Sequence, residues 1–138
     1  GQQDLFDAVG ETGKDMIVSL GMWHDANPTA PLPTHINSKG KVDFLYCVAK
    51  YPTKPEDVDF DKIDFNNKYS GFSDHTIGMN APLIAVARGA KIIEKHFTLS
   101  KKMHGPDHQG SMEPNELRQL VKSAREFEEF MSKWNIEF

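Results

Sequence analysis

The chain has 138 residues, 38% apolar and 26% charged, which suits one globular domain with a core and is too short for two. Its net charge of −4 argues against nucleic acid or an anionic membrane as the main partner. A single cysteine, Cys47, excludes an internal disulfide and suits a reducing compartment. With neither a signal-peptide pattern nor an apolar run that would cross a bilayer, we expect a cytoplasmic protein.

The first third of the chain predicts one helix and two strands. Apolar residues at helical spacing predict a helix over 4–9, and short apolar runs predict strands over 16–20 and 42–48. The second run is almost entirely apolar, as in a strand buried on both faces. Between the strands, the prolines within residues 23–41 exclude a regular helix and predict an irregular loop.

The remaining elements alternate between helix and strand. They are a short helix opened by Pro55 and carrying Val58, Ile63 and Phe65, a strand over 69–73, a helix with N-cap Asn80 that ends at Gly89, a strand over 91–97, and a long helix from Pro114 to Trp134. We expect the apolar stripe of the last helix to pack in the core. Alternating βα units predict a parallel α/β sheet, which is either half of an eight-stranded barrel or a small open sheet.

Two histidines follow predicted strands at the point where each strand ends. Ligands of parallel α/β folds bind at this edge of the sheet, and His75 and His96 share faces with Ser73 and Glu94. If the two strands are neighbours, about 4.8 Å apart, both imidazoles can reach one divalent ion. The alternative is that each histidine only makes local hydrogen bonds.

Other candidates are weaker. Asp107, in the Gly-Pro-Asp loop, offers a further acceptor, and Cys47 reads as a small buried hydrophobe rather than a nucleophile. Lys50 is either a phosphate contact or a surface lysine. The remaining histidines lie in loops, two of them in the proline-rich stretch and two flanking the Gly-Pro-Asp loop: His24, His35, His104 and His108.

The segments GFSDHTIG, GAKIIEKHFTL and GPDHQGSMEPNEL together closely resemble the sialic acid synthase (N-acetylneuraminate synthase) family. The resemblance continues upstream through CVAKYPTKPEDV and IVSLGM, so it covers nearly the whole chain. It implies an α/β fold whose parallel βα units form the second half, about strands 5–8, of a TIM barrel. Residues 1–138 would then be a single partial domain without the small antifreeze-like domain of many members.

The resemblance also implies an activity. Family enzymes condense phosphoenolpyruvate with N-acetylmannosamine or a related amino sugar, release phosphate and need a divalent metal, usually manganese or magnesium. It implies that His75 and His96 are metal ligands and, with Asp107, catalytic residues. Positions matching Ser19 and Ser73 hold phosphoenolpyruvate, and those matching Tyr51 and Asp107 hold the amino sugar.

Three departures from the family pattern stand out. Ala49 occupies a position where the family often has Asn or Ser, and the prolines over 28–33 replace a normal barrel helix. Both suggest a divergent member with another sugar substrate. The match also begins at the helix before the fifth barrel strand, so the family's catalytic glutamates and phosphate-binding lysines lie outside it. We therefore expect the chain alone to be inactive or nearly so.

Two other functions stay open. The chain is alternatively a non-catalytic metal- or sugar-binding half-barrel that self-associates, which would hide an exposed sheet edge. It is otherwise part of a different phosphoenolpyruvate-dependent synthase that makes another keto-sugar acid. In every case we expect small-molecule partners and a homo-oligomer, a dimer, with no nucleic acid and no membrane.

Overall fold

The computed structural model describes residues 3–134, and a parallel four-stranded sheet lies at its centre. The strands pair in chain order and are β1 (Met16–Ser19), β2 (Val42–Cys47), β3 (Gly71–Asp74) and β4 (Ile92–Lys95). The helices are α1 (Gln3–Glu11), α2 (Asn80–Ala87) and α3 (Pro114–Trp134). The predicted parallel α/β sheet is confirmed. None of the helices among these residues combines the length and the apolar character needed to span a membrane.

One hydrogen bond shows that the sheet curls. β1 and β4 are its two edge strands, and three strand spacings would hold them about 14 Å apart in a flat sheet. The Ser19 hydroxyl on β1 nevertheless donates to Glu94 Oε2 on β4 at 3.0 Å. The edges therefore approach each other on one side, which we call the inner face, and the opposite side is the outer face. The strand register assigns these residues to the inner face: Ile17, Ser19, Asp43, Leu45, Cys47, Ser73 and Glu94.

The outer face carries the apolar core. Side chains alternate along a strand, so the buried residues between the inner-face positions point outward: Met16, Val18, Tyr46 and Phe72. The layer that covers them comes from α2 and from the connection between β2 and β3, through Ala85, Val58, Ile63 and Phe65. The apolar character of β2 thus reflects burial on both faces, because Leu45 on its inner face is also fully buried.

The helix predicted after Pro55 is wrong. Two short 3-10 turns, Pro55–Asp57 and Phe60–Lys62, take its place. Acidic side chains cap the backbone locally instead of allowing a helix to continue, since Asp57 accepts the Lys54 N–H at 2.8 Å and Asp64 accepts the Asn66 N–H at 3.0 Å.

Several boundaries also differ from those predicted. The strand predicted over 69–73 begins only at Gly71, because the Tyr69 N–H donates to the Asp64 carbonyl of the preceding loop at 2.9 Å. The strand predicted over 91–97 ends at Lys95. Asn80 is the first residue of α2 rather than its N-cap, which is Met79 with no side-chain capping bond.

The apolar stripe of α3 is buried only in part. The helix forms over the predicted residues and packs against α2, and Leu120 is buried. The prediction that the whole stripe packs in the core is wrong. No element among residues 3–134 covers the stripe's C-terminal part, where Val121, Phe127, Phe130 and Trp134 are 42–64% exposed.

The irregular loop predicted over 23–41 is confirmed, and polar contacts hold it. It opens with a 3-10 turn, Trp23–Ala26, in which His24, Asp25 and Ala26 have φ between 47° and 57°. The Trp23 indole N–H donates to the Pro31 carbonyl at 2.7 Å, and the Tyr46 hydroxyl donates to the Ala26 carbonyl at 2.8 Å. The loop is thereby fixed to the outer face without a helix.

Candidate functional site

The two strand-end histidines lie side by side. His75 follows β3 and His96 follows β4, and their ring centroids are 5.2 Å apart with the planes at 66°. The Tyr51 ring stacks on His96 at 4.7 Å and meets His75 edge-on at 5.6 Å. The two strands are direct neighbours, as the pairing of the histidines required. The sequence prediction that these rings meet at one edge of the sheet is confirmed as geometry.

The surroundings of His75 favour its neutral form. Burial lowers the pKa of this imidazole, and the neighbouring His96 lowers it further, against smaller opposing effects of Asp74, Glu94 and the Val48 carbonyl. Its Nδ1 atom is buried and makes no hydrogen bond of ordinary geometry. Neutral imidazole is the form in which histidine binds metal ions.

Two neighbouring imidazoles suit a partly open cation site, with fewer protein ligands than the three usual at catalytic zinc sites. Among residues 3–134, no group of three or more His, Cys, Asp or Glu side chains is arranged to hold a metal ion. His75 and His96 would therefore supply two ligands, and water or substrate oxygens would complete the shell. Open coordination positions are typical of catalytic metal sites rather than structural ones.

A carboxylate joins the two predicted serines on the inner face. Glu94 accepts the Ser19 hydroxyl through Oε2 at 3.0 Å and the Ser73 hydroxyl through Oε1 at 3.2 Å. The structure thus brings together two residues that the sequence suggested only separately. Sequence reasoning placed Glu94 on the face of His96 but gave it no role. Its position two residues before a strand-end histidine was the available signal.

The neighbouring recess has a volume of about 330 Å³. Ser19, Ser73, His75 and Glu94 line one part of it, and Ala49 lies on its wall. The position where the family often has a polar residue therefore belongs to this recess. His96 is not among its lining residues, so the histidine pair stands at one side of the recess rather than inside it.

Asp107 reaches this region only through its backbone. The Tyr51 hydroxyl donates to the Asp107 carbonyl at 3.5 Å, and the Ser111 hydroxyl donates to the same carbonyl at 2.6 Å. The Asp107 side chain is exposed. Its role toward a sugar, like that of Tyr51, stays a prediction.

The weaker candidates have ordinary structural partners. Lys50 binds both Asp57 carboxylate oxygens at 2.8 Å and lowers the pKa of that carboxyl. Cys47 is buried, and burial raises the pKa of its thiol, as expected of a small hydrophobe. Thr98 Oγ1 and His108 Nδ1 lie 2.7 Å apart, a contact that ties the loop after β4 to itself. The proline-rich loop's histidines are exposed and pack against Trp23.

Comparison with known proteins gives this geometry a context. The chain is 40% identical over 133 residues to an uncharacterised protein of Methanocaldococcus jannaschii, covering 92% of this chain and 39% of that one. It is 43% identical over 88 residues to the N,N'-diacetyllegionaminic acid synthase of Legionella pneumophila, covering 61% of this chain and 25% of the relative.

A solved structure shows the same architecture. The N-acetylneuraminic acid (sialic acid) synthetase of Leptospira borgpetersenii, in complex with citrate, superposes with a TM-score of 0.78 at 30% identity. The superposition covers 94% of this chain and 47% of that one, and it shows the curled sheet as half of a TIM barrel. The predicted half-barrel is confirmed, and the chain spans between a quarter and a half of the length of these relatives. Residues 2–135 match the NeuB family, and the chain belongs to that family.

Proposed function

We propose that this chain supplies the metal- and substrate-binding half of a synthase that condenses phosphoenolpyruvate with N-acetylmannosamine or a related N-acetylated amino sugar. The observation that carries the proposal is the pair of imidazoles, His75 and His96, 5.2 Å apart at neighbouring strand ends. Its relatives in Legionella and Leptospira are named as synthases of legionaminic and sialic acids, which supports this reaction class.

In this proposal the two histidines hold manganese or magnesium. When bound, the cation supplies a Lewis acid for the aldehyde oxygen of the open-chain sugar. His75 binds in its neutral form, which burial favours. Tyr51 packs against both rings and limits their rotation.

The two serines bind the acidic substrate in the adjoining recess. Hydroxyl donors suit the phosphate and carboxylate oxygens of phosphoenolpyruvate, and fixed donors stabilise charge that develops during its attack. Glu94 accepts both hydroxyls and holds Ser19 and Ser73 toward each other, although they lie on strands two apart in the sheet. Exchange of those hydrogen bonds for substrate oxygens leaves the carboxylate free to accept a sugar hydroxyl.

The chain alone is proposed to be inactive. Ile17 on the inner face is 56% exposed, and Glu94 is exposed as well. A condensation that passes through developing charge needs a site from which water is excluded. The described residues close the inner face only at its centre, so further chain is needed over the edge strands.

Cation binding tests the first half of the proposal. We expect Mn²⁺, followed by the EPR signal of the free ion, to bind one site per chain at neutral pH. His75→Ala and His96→Ala should each abolish that binding, whereas His104→Ala, in the exposed loop, should leave it unchanged. Equal binding by all four proteins would contradict a site at the histidine pair.

A chimera tests the second half. Residues 3–134 would replace the matching part of the Leptospira synthetase, which supplies the rest of the barrel. We expect release of inorganic phosphate from phosphoenolpyruvate only when an N-acetylated amino sugar is added. Phosphate release with an aldehyde sugar that lacks the N-acetylated amine instead would identify the alternative, a synthase for another keto-sugar acid. A folded chimera inactive with every sugar would oppose both.

Self-association is a second candidate, favoured by exposed apolar residues along the open side of the sheet. Ile17, Phe97 and Leu99 are 50–73% exposed on or beside the two edge strands. A second copy could cover them, which would make the chain a non-catalytic binding module. Sedimentation equilibrium decides this, since a monomer at all accessible concentrations would count against it.

A further inference from the structure

The last residues of β3 and β4 form a buried ion pair directly behind the histidines. Lys95 Nζ lies 2.5 Å from Asp74 Oδ2, and the two side chains are 5% and 0% exposed. They are partners in the final pair of the β3–β4 register, and each is followed at once by a histidine. Because side chains alternate along a strand, the ion pair lies on the outer face while Ser73 faces inward.

A third residue closes this pair into a ring. Lys95 Nζ also donates to the Thr76 carbonyl at 2.6 Å, and the Thr76 N–H donates to Asp74 Oδ1 at 2.8 Å. Asp74 and Thr76 flank His75 in the chain. Lys95 therefore holds both residues that flank His75, Asp74 through its carboxylate and Thr76 through its carbonyl.

The strand ladder does not extend to the histidines themselves. The carbonyl of His75 accepts the Thr53 N–H at 2.9 Å, and the carbonyl of His96 accepts the Met112 N–H at 2.9 Å. These contacts tie the backbone of each histidine to a different loop and not to the neighbouring strand. Among the residues described, the last side-chain link between the strands before the rings is the pair of Asp74 and Lys95.

We propose that Asp74 and Lys95 are positioning residues that set the distance between the His75 and His96 rings and thereby the affinity of the site for a divalent cation. The part concerning affinity rests on the proposed function. Loss of one partner leaves a buried charge without compensation, and the strand end must move to admit water or a proton. Two rings on separately displaced strand ends no longer present their nitrogens to one ion.

The test uses the full chain with two readouts. The first is the NOE between ring protons of His75 and His96, and the second is Co²⁺ affinity from its visible absorption. Lys95→Met keeps the length of the side chain and removes its charge, Lys95→Arg keeps the charge, and Asp74→Asn/Lys95→Met removes both charges. Ser70→Ala is the control, because Ser70 bonds Asp43 at the opposite end of the sheet.

We expect Lys95→Met and the double variant to lose the inter-ring NOE and to bind Co²⁺ about tenfold or more weakly, as outer-shell changes commonly do. Lys95→Arg should keep both the inter-ring NOE and the native Co²⁺ affinity. Ser70→Ala should change stability without changing either of them. An unaltered NOE in a folded double variant would overturn the positioning role. If Lys95→Met does not fold, the double variant alone provides this test. If the native chain binds no Co²⁺ but the variants still lose the inter-ring NOE, the positioning role stands and the metal proposal fails.

Discussion

The two faces of the curled sheet show how one set of strands separates stability from chemistry. Apart from the Asp74–Lys95 pair at the strand ends, the outer face is apolar and covered, with Met16, Val18 and Phe72 all below 9% exposed. The inner face is covered at its centre, where Leu45 is 0% exposed, and open at its edges, where Ile17 is 56% exposed. Polar and titratable side chains collect on the open side.

The difference teaches that alternation along a strand does two jobs at once. Every second side chain of each strand packs in the outer-face core, and the side chains between them are available for the functional site on the inner face. On β3, Phe72 is packed among aromatic rings while Ser73 bonds Glu94. Substitutions one residue apart should therefore affect different properties of the protein.

The largest effect is expected from Phe72→Ala. Phe72 is 1% exposed and packs against Tyr46 and Phe60, with ring centroids 6.3 and 5.6 Å away. Its truncation leaves a cavity in the outer-face core and should lower the free energy of unfolding by about 3–5 kcal/mol. Urea denaturation followed by circular dichroism measures this.

Ile17→Ala is the matched change on the inner face. Since Ile17 is already 56% exposed, we expect a loss below about 1 kcal/mol. Losses of similar size at the two positions would show that the inner face is covered in solution, for instance by another copy of the chain.

His96→Ala should affect metal binding strongly and stability only slightly, the opposite of Phe72→Ala. The ring is half-buried and stacks on Tyr51, so its removal should lower the free energy of unfolding by only about 1 kcal/mol. Mn²⁺ binding should disappear, because one imidazole alone is a weak site for a divalent ion. Isothermal titration calorimetry measures this binding at a temperature at which both the native chain and His96→Ala are folded. Binding retained by His96→Ala but lost by His75→Ala would reduce the site to a single histidine.

The N-terminal end of the inner face carries a carboxylate that stabilises the fold, and the pH dependence of stability tests its contribution. At this end Asp43 accepts the Ser70 hydroxyl and pairs with Lys41, and these contacts lower the pKa of its carboxyl. A lowered native pKa means that the charged form stabilises the fold above the unfolded value of 3.8, and this stabilisation disappears as pH falls through the native value.

Asp43→Asn should therefore be less stable than the native chain at pH 7, by about 1–2 kcal/mol, and the gap should narrow as pH falls below 3.8 and close only below the lowered native pKa. Urea midpoints at pH 7, 5 and 3 follow the gap. A gap that stays constant across this range would mean that the charge of Asp43 contributes nothing.

Much of the fold was accessible from the sequence because its signals are local. The short apolar runs of β1 and β2 and the apolar stripe of α3 are patterns over a few residues, and all three elements form. The helix expected after Pro55 failed because Asp57 and Asp64 bond nearby backbone groups, a competition that periodicity does not register.

The site was predictable only in part because its contacts are not local. Adjacent parallel strands bring His75 and His96 together, so strand-end position was enough to pair them. The Ser19–Glu94 bond spans 75 positions of the chain and exists only because the sheet curls. Curvature has no local sequence signal, and Glu94 therefore went unassigned.

Ala49 offers the finest test of the inner face. It is exposed and lines the same recess as Ser73, where an asparagine side chain would add a hydrogen-bond donor group. One added hydrogen bond is worth about 1 kcal/mol, so Ala49→Asn should bind phosphoenolpyruvate about fivefold more tightly in equilibrium dialysis. Ala49→Leu matches the number and branching of the added heavy atoms without the amide and should bind no more tightly than the native chain. An equal gain in affinity by both variants would mean that side-chain size rather than polarity improves binding in the recess. That result would argue against an acidic substrate at this place.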